Sequence, residues 1–188
     1  MIGIMTIIGV AILLVLLIII GYAIGLYNSL VKLKNDIVKA LSNIEVLLKQ
    51  RVDELPKLVE TVKGYMRHEK GVLENVTKAR TALMGAKTLP EKAKADNMVA
   101  GALKTLFAVA ENYPALKANE NFMQLQQRIS GIENEIADRR EFYNDSVNTF
   151  NIRIESFPDM LIANMMKLTK REMFKATEAE KQDVKIKF

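Results

Sequence analysis

Apolar and polar positions divide this chain sharply. From Ile2 to Leu26 the side chains are apolar almost without exception, Thr6 being the one clearly polar member, and no charge appears before Lys32. A helix of that length is about 37 Å long, enough to cross a hydrocarbon layer of about 30 Å with some tilt. Beyond it the pattern changes to amphipathic. Leu30, Ile37, Leu41, Ile44 and Leu48 recur at helical spacing and predict a first block from about Tyr27 to Arg51. Asp53 is placed to cap a second block, with Pro56 in its first turn. That block carries Leu55, Val59, Val62, Tyr65, Val72, Val76 and Leu83 on one face, interrupted by Glu69.

Thr88-Leu89-Pro90-Glu91 has the form of a capping box and predicts the start of a third block. Its stripe reads Met98, Ala102, Leu106, Val109 and Tyr113, and Pro114 ends it. A fourth block, from near Asn119 to Ser156, is the longest. Its apolar residues step 3, 4, 3, 4 as far as Ile136 and again from Tyr143 to Ile154, with an extra step of four through Arg140 that reads as a stutter. No segment alternates with period two. The expectation is therefore an all-α protein: a transmembrane anchor over 1–26, an antiparallel four-helix bundle over 27–168, and a polar, mobile tail over 169–188.

A cleaved signal peptide would need a basic leader, a shorter apolar stretch and a small-residue exit, and none of these is present. The run is read as a retained anchor. Tyr22 and Tyr27 stand where an interfacial aromatic belt falls, and Lys32, Lys34 and Lys39 follow on one side, predicting the N-terminus outside and the body in the cytoplasm. Gly21 and Gly25 form a small-xxx-small pair that would let two anchors pack closely. The alternative is that glycine is simply frequent in membrane helices.

Composition narrows the chemistry. There is no cysteine, which removes disulfides, thiolate metal sites, cysteine nucleophiles and a lipidated N-terminal thiol. The one histidine, His68, precedes Glu69, but a zinc signature would need a second His at position 72, which is Val72. No nucleophile elbow or phosphate-cradling loop occurs, so no cofactor and no metal are expected. The net charge of +5 favours acidic partners or anionic lipid, while Lys and Glu are too interleaved to make a nucleic-acid patch. Glu69 and Arg140 are charges on apolar faces, and they are expected to neutralise each other across the second and fourth helices. Carboxylates such as Glu133 and Glu135 read as a solvated face rather than as acid–base machinery.

The wording of the sequence adds to its periodicity. Tyr27-Asn28-Ser29-Leu30-Val31, Ser42-Asn43-Ile44-Glu45, Leu55-Pro56-Lys57-Leu58-Val59-Glu60, Tyr113-Pro114-Ala115-Leu116, Arg140-Glu141-Phe142-Tyr143-Asn144 and Ser156-Phe157-Pro158 follow one another in order. With the ending Ala176-Thr177-Glu178-Ala179-Glu180, they closely resemble the bacterial LemA family across essentially the whole chain. Leu41 departs from it, standing where that family usually has Trp. The resemblance implies a bacterial inner-membrane protein with one N-terminal span and a helical bundle, and it transfers no catalytic residues. It marks Asn43, Arg51, Glu60, Lys63, Glu69, Arg140 and Asn144 as a polar network or a partner surface. The functional expectation is a non-enzymatic scaffold or adaptor that recruits protein partners, including a second copy of the chain, at the cytoplasmic face. The competing expectations are a ligand- or lipid-sensing bundle with a polar inter-helix pocket, and a hydrolase using bundle carboxylates.

Overall fold

The computed structural model describes residues 2–174, and among these the regular elements are all helices, with no strand. The helices are α1 (Ile2–Lys63), α2 (Lys70–Gly85), α3 (Leu89–Ala110), α4 (Pro114–Lys117), α5 (Glu120–Glu155) and α6 (Asp159–Met165). The long apolar N-terminal helix is present as expected. Two compact units are distinguished among the described residues: 2–39 with Asp145–Arg171, and Ala40–Asn144 with 172–174.

The first expected block and the start of the second prove to be one helix, while the rest of the second, with Val72, Val76 and Leu83, is the separate helix α2. α1 runs through Asp53 without a break and holds Pro56 in its interior. An interior proline removes one hydrogen bond, at a cost of about 3 kcal/mol. The carbonyl left without its usual donor is that of Val52, and here Arg80 Nε of α2 donates to it at 3.1 Å. A side chain from another helix thus fills the gap that makes proline a helix breaker, and local propensity alone did not reveal it. Arg80→Ala should therefore cost about 1–2 kcal/mol in chemical unfolding, and should cost almost nothing alongside Pro56→Ala, which restores the N–H. Equal losses in both backgrounds would refute the coupling.

α1 ends at Lys63. Tyr65 and Met66 both donate backbone N–H groups to the Val62 carbonyl, and the Met66 side chain is fully buried beneath the turn. α3 opens as expected: the Thr88 hydroxyl accepts from Glu91 N–H while the Glu91 carboxylate accepts from Thr88 N–H. The backbone N–H groups of Thr88 and Lys87, both donating to the Glu91 carboxylate, hold its carboxyl below the ordinary range. α2 and α3 pack together, and the small buried residues Ala79 on α2 and Ala93, Ala95 and Ala110 on α3 suit a close approach.

The buried seam of α3 is Asp96, Val99, Leu103, Leu106 and Ala110, in steps of 3 and 4. Met98, assigned to the core from sequence, is 44% exposed. The stutter expected in α5 is likewise absent. Phe122, Ile129, Ile136, Tyr143 and Phe150 repeat every seven residues and are all buried. A second series at the same interval reads Gln126, Glu133, Arg140, Val147 and Ile154. The heptad is continuous, with two charges occupying seam positions where aliphatic residues are usual.

The stretch read as a mobile tail begins differently. Residues 169–174 are described and held, with Phe174 only 1% exposed. The remaining part of that expected tail, 175–188, lies outside the described residues.

Candidate functional site

Arg51 occupies a seam position of α1 between Ile44 and Leu58, each seven residues away, and its side chain is wholly buried. A buried guanidinium must be neutralised and hydrogen-bonded, because losing its hydration is costly. Arg51 ion-pairs with Asp96 of α3 through Nη2 and with Glu133 of α5 through Nη1. The second Asp96 oxygen, Oδ2, receives Arg140 Nη1 of α5 at 3.4 Å. Two guanidinium groups and two carboxylates from three helices therefore balance within one network. Arg140 pairs with Asp96 rather than with Glu69, because Asp96 is nearly fully buried on the seam it faces.

Phe174 covers this network, with the Arg140 guanidinium carbon 4.8 Å from its ring centroid, a cation–π geometry. Asn144 holds Phe174 by both backbone groups. Its Oδ1 accepts from Phe174 N–H at 2.7 Å, and its Nδ2 donates to the Phe174 carbonyl at 3.0 Å. The Tyr143 hydroxyl donates to the Glu172 carbonyl at 2.9 Å. An asparagine amide sets an NH2 donor beside a carbonyl acceptor, so it can pair with an extended peptide much as a neighbouring strand would. In the other unit Asn151 makes the same two-point clamp on Arg171.

A second ion cluster lies on α1. Glu54 is buried and accepts from Lys57 at 3.0 Å and from Arg128 of α5 at 3.2 Å. Burial pushes its carboxyl up, but the two cationic hydrogen bonds outweigh this and hold it below the ordinary value. Glu69 caps nothing with its side chain. It accepts instead from the Tyr113 hydroxyl at 3.4 Å, and burial together with that carboxylate raises the tyrosine's pKa.

Glu60 and Lys63 line a groove of about 820 Å³ formed by the end of α1, the turn after it and α2. Val59 and Leu73 contribute its apolar surface, over the buried Met66. Lys63, Arg67, Lys70 and Lys78 outnumber Glu60 and Glu74 along its walls. Such a volume is ordinary for a binding cleft, and its apolar floor with a mainly basic rim suits an amphipathic, acidic surface.

The residues singled out from sequence thus separate. Arg51, Arg140 and Asn144 converge on one network, Glu60 and Lys63 face the groove, and Glu69 is engaged apart from both. Asn43 is exposed on α1. Gly21, Tyr22, Gly25 and Tyr27 are exposed on the apolar portion of the same helix, where a Cβ at either glycine would meet nothing. Asp96 and Glu133 were missed. The signal that would have found them is the heptad itself, since both fall in register with buried aliphatic neighbours. Among the described residues no group of His, Cys, Asp and Glu is arranged to hold a metal ion.

An all-helical body behind an apolar helix long enough to cross a membrane defines a membrane-associated helical protein. The chain belongs to the LemA family, whose sequence model matches residues 40–188. It is 32% identical over 165 residues to Protein LemA of Metamycoplasma hominis, covering 86% of this chain and 74% of that protein. It is 25% identical over 179 residues to Magnetosome protein MamQ 2 of Paramagnetospirillum magneticum, covering 81% of this chain and 66% of that one. Magnetosome protein MamQ of Magnetospirillum gryphiswaldense is 23% identical over 158 residues, covering 70% and 58% respectively. This chain therefore spans about three quarters of the LemA relative and two thirds or less of the MamQ proteins. Neither the family's description nor these names are those of an enzyme.

Proposed function

We propose that this protein is a non-enzymatic, membrane-anchored scaffold that recruits protein partners to the cytoplasmic face of the bacterial inner membrane. In this reading residues 2–26 span the bilayer once, with the N-terminus outside, and the amphipathic parts of α1, α2, α3 and α5 act as a four-helix bundle. The lysines after the apolar run support that orientation. The network of Arg51, Asp96, Glu133 and Arg140 serves register: each charge finds its partner in only one alignment of the three helices.

The observation that carries the recruiting role is the groove lined by Val59, Glu60, Lys63, Arg67 and Leu73. It presents apolar surface inside a mainly basic rim, the arrangement that selects an acidic, amphipathic segment of another protein. The test is photo-crosslinking in intact membranes, with the crosslinking residue at Leu73 in the groove or at Lys104, exposed on α3. Position 73 should capture discrete protein species that disappear in the Lys63→Glu/Arg67→Glu variant, a second copy of this chain being one species to look for. If position 73 yields only the uncrosslinked monomer, as position 104 does, the recruiting role is wrong.

A further inference from the structure

In the unit formed by residues 2–39 and Asp145–Arg171, one guanidinium ties three elements together. Arg153, in the last turn of α5, donates from Nη1 to Ser29 Oγ of α1 at 2.7 Å. Its Nε donates at 3.0 Å to Oδ1 of Asp159, the first residue of α6. Ser29 lies three residues past the end of the apolar run, so α6 starts within a guanidinium's reach of the point where α1 leaves the apolar segment.

α6 and the turn before it carry apolar side chains that the rest of the protein does not cover. Leu161, 53% exposed, and Met165, 80% exposed, lie one turn apart on one side of the helix, and Phe157 in the turn before it is 77% exposed. Only Ala163 of α6 is buried. Lys167, Lys170 and Arg171 follow directly, and Lys32 and Lys34 stand on α1 just beyond Ser29. An exposed apolar row flanked by cations is costly in water and suited to the headgroup boundary of a bilayer. The hairpin is also restrained. Asn151 clamps the backbone of Arg171 at 2.9 Å on both sides, and Lys170 pairs with Glu155 at 2.8 Å, fixing where the row is presented.

We infer that Phe157, Leu161 and Met165 form a second, interfacial membrane contact, lying in the headgroup layer beside the exit of the spanning helix. The occupant of this face is a lipid surface, and the inference rests on the reading of residues 2–26 as a membrane span. Its role is to hold α5 at a defined height and rotation against the bilayer, which a single span, free to spin and tilt, does not do.

The chain contains no tryptophan, so each single-Trp variant reports from one place. Full-length Leu161→Trp, Met165→Trp, Ile18→Trp and Thr149→Trp would be reconstituted into vesicles of zwitterionic and anionic phospholipid. A fraction of the lipid would carry a nitroxide in the headgroup region or deep in the acyl chain. Headgroup nitroxide should quench about half the emission at 161 and 165 and about a tenth at Thr149, which is exposed on α5, while the acyl-chain label quenches position 18. Positions 161 and 165 as weakly quenched as 149, with position 18 still quenched, would overturn the interfacial contact and leave the span standing. Loss of quenching at position 18 as well would overturn both.

Discussion

Arg51→Met should lower the unfolding free energy of the full-length protein by about 3–5 kcal/mol, the cost of leaving buried carboxylates without their cation. Asp96 has almost no exposed surface and cannot turn to water for compensation. The double variant Arg51→Met/Asp96→Leu removes one charge of each sign. It leaves Glu133 and Arg140, which are more exposed and opposite in sign, so most of the loss should be recovered. Urea unfolding at constant detergent, followed by circular dichroism, measures both. The cycle should show a coupling of about 2 kcal/mol or more. Additive losses would mean that Arg51 contributes through its packing alone.

The second large effect is expected at Phe174. Its ring is buried over Arg140, and truncating a buried Phe to Ala costs about 3 kcal/mol. Because the residue lies on a segment held from outside the helices, that loss should appear as local release rather than global melting. Trypsin cleavage after Lys170 and Arg171 should accelerate by about 100-fold in Phe174→Ala, the factor corresponding to that energy, with the melting of α5 little changed. Asn144→Ala, which removes both backbone bonds to Phe174, should act in the same direction. Unchanged cleavage in both variants would show that the clamp and ring do not secure the segment.

Legibility in the sequence followed the range of the forces involved. The apolar helix, the Thr88–Glu91 cap and the extent of α5 depend on neighbours within one or two turns, and they could be read directly. What required a distant partner was misread. Locally, Pro56 reads as the start of a helix because its local effect is to break one, whereas Arg80 supplies the missing hydrogen bond from α2. By apolar periodicity alone the α3 seam runs through Met98, one position away from the buried line. That shift turned Asp96 into a surface residue and hid the partner of both Arg51 and Arg140. In α5, treating Arg140 as an interruption produced a stutter. Treating it as a seam residue reveals an unbroken heptad and places Glu133 one repeat earlier. The chain from Arg171 to Phe174 looked like solvent-exposed tail because its attachment depends on asparagines, whose pairing with a distant backbone has no periodic signature.

The groove at the end of α1 is not itself legible in the sequence. Glu60 and Lys63 were singled out as polar positions, but the basic rim comes equally from Arg67, Lys70 and Lys78, across the turn. Only the reversal of the chain between Lys63 and Lys70 brings those charges to a common cleft.

A membrane-anchored role requires above all that residues 2–26 remain part of the working protein and hold it in lipid. The direct measurement is the intact mass of the protein recovered from cells, together with its partition on alkaline extraction of membranes. Such a role predicts a chain that retains its apolar N-terminal helix and stays in the membrane pellet. A mature polypeptide starting beyond residue 26 and recovered in the soluble fraction would contradict it.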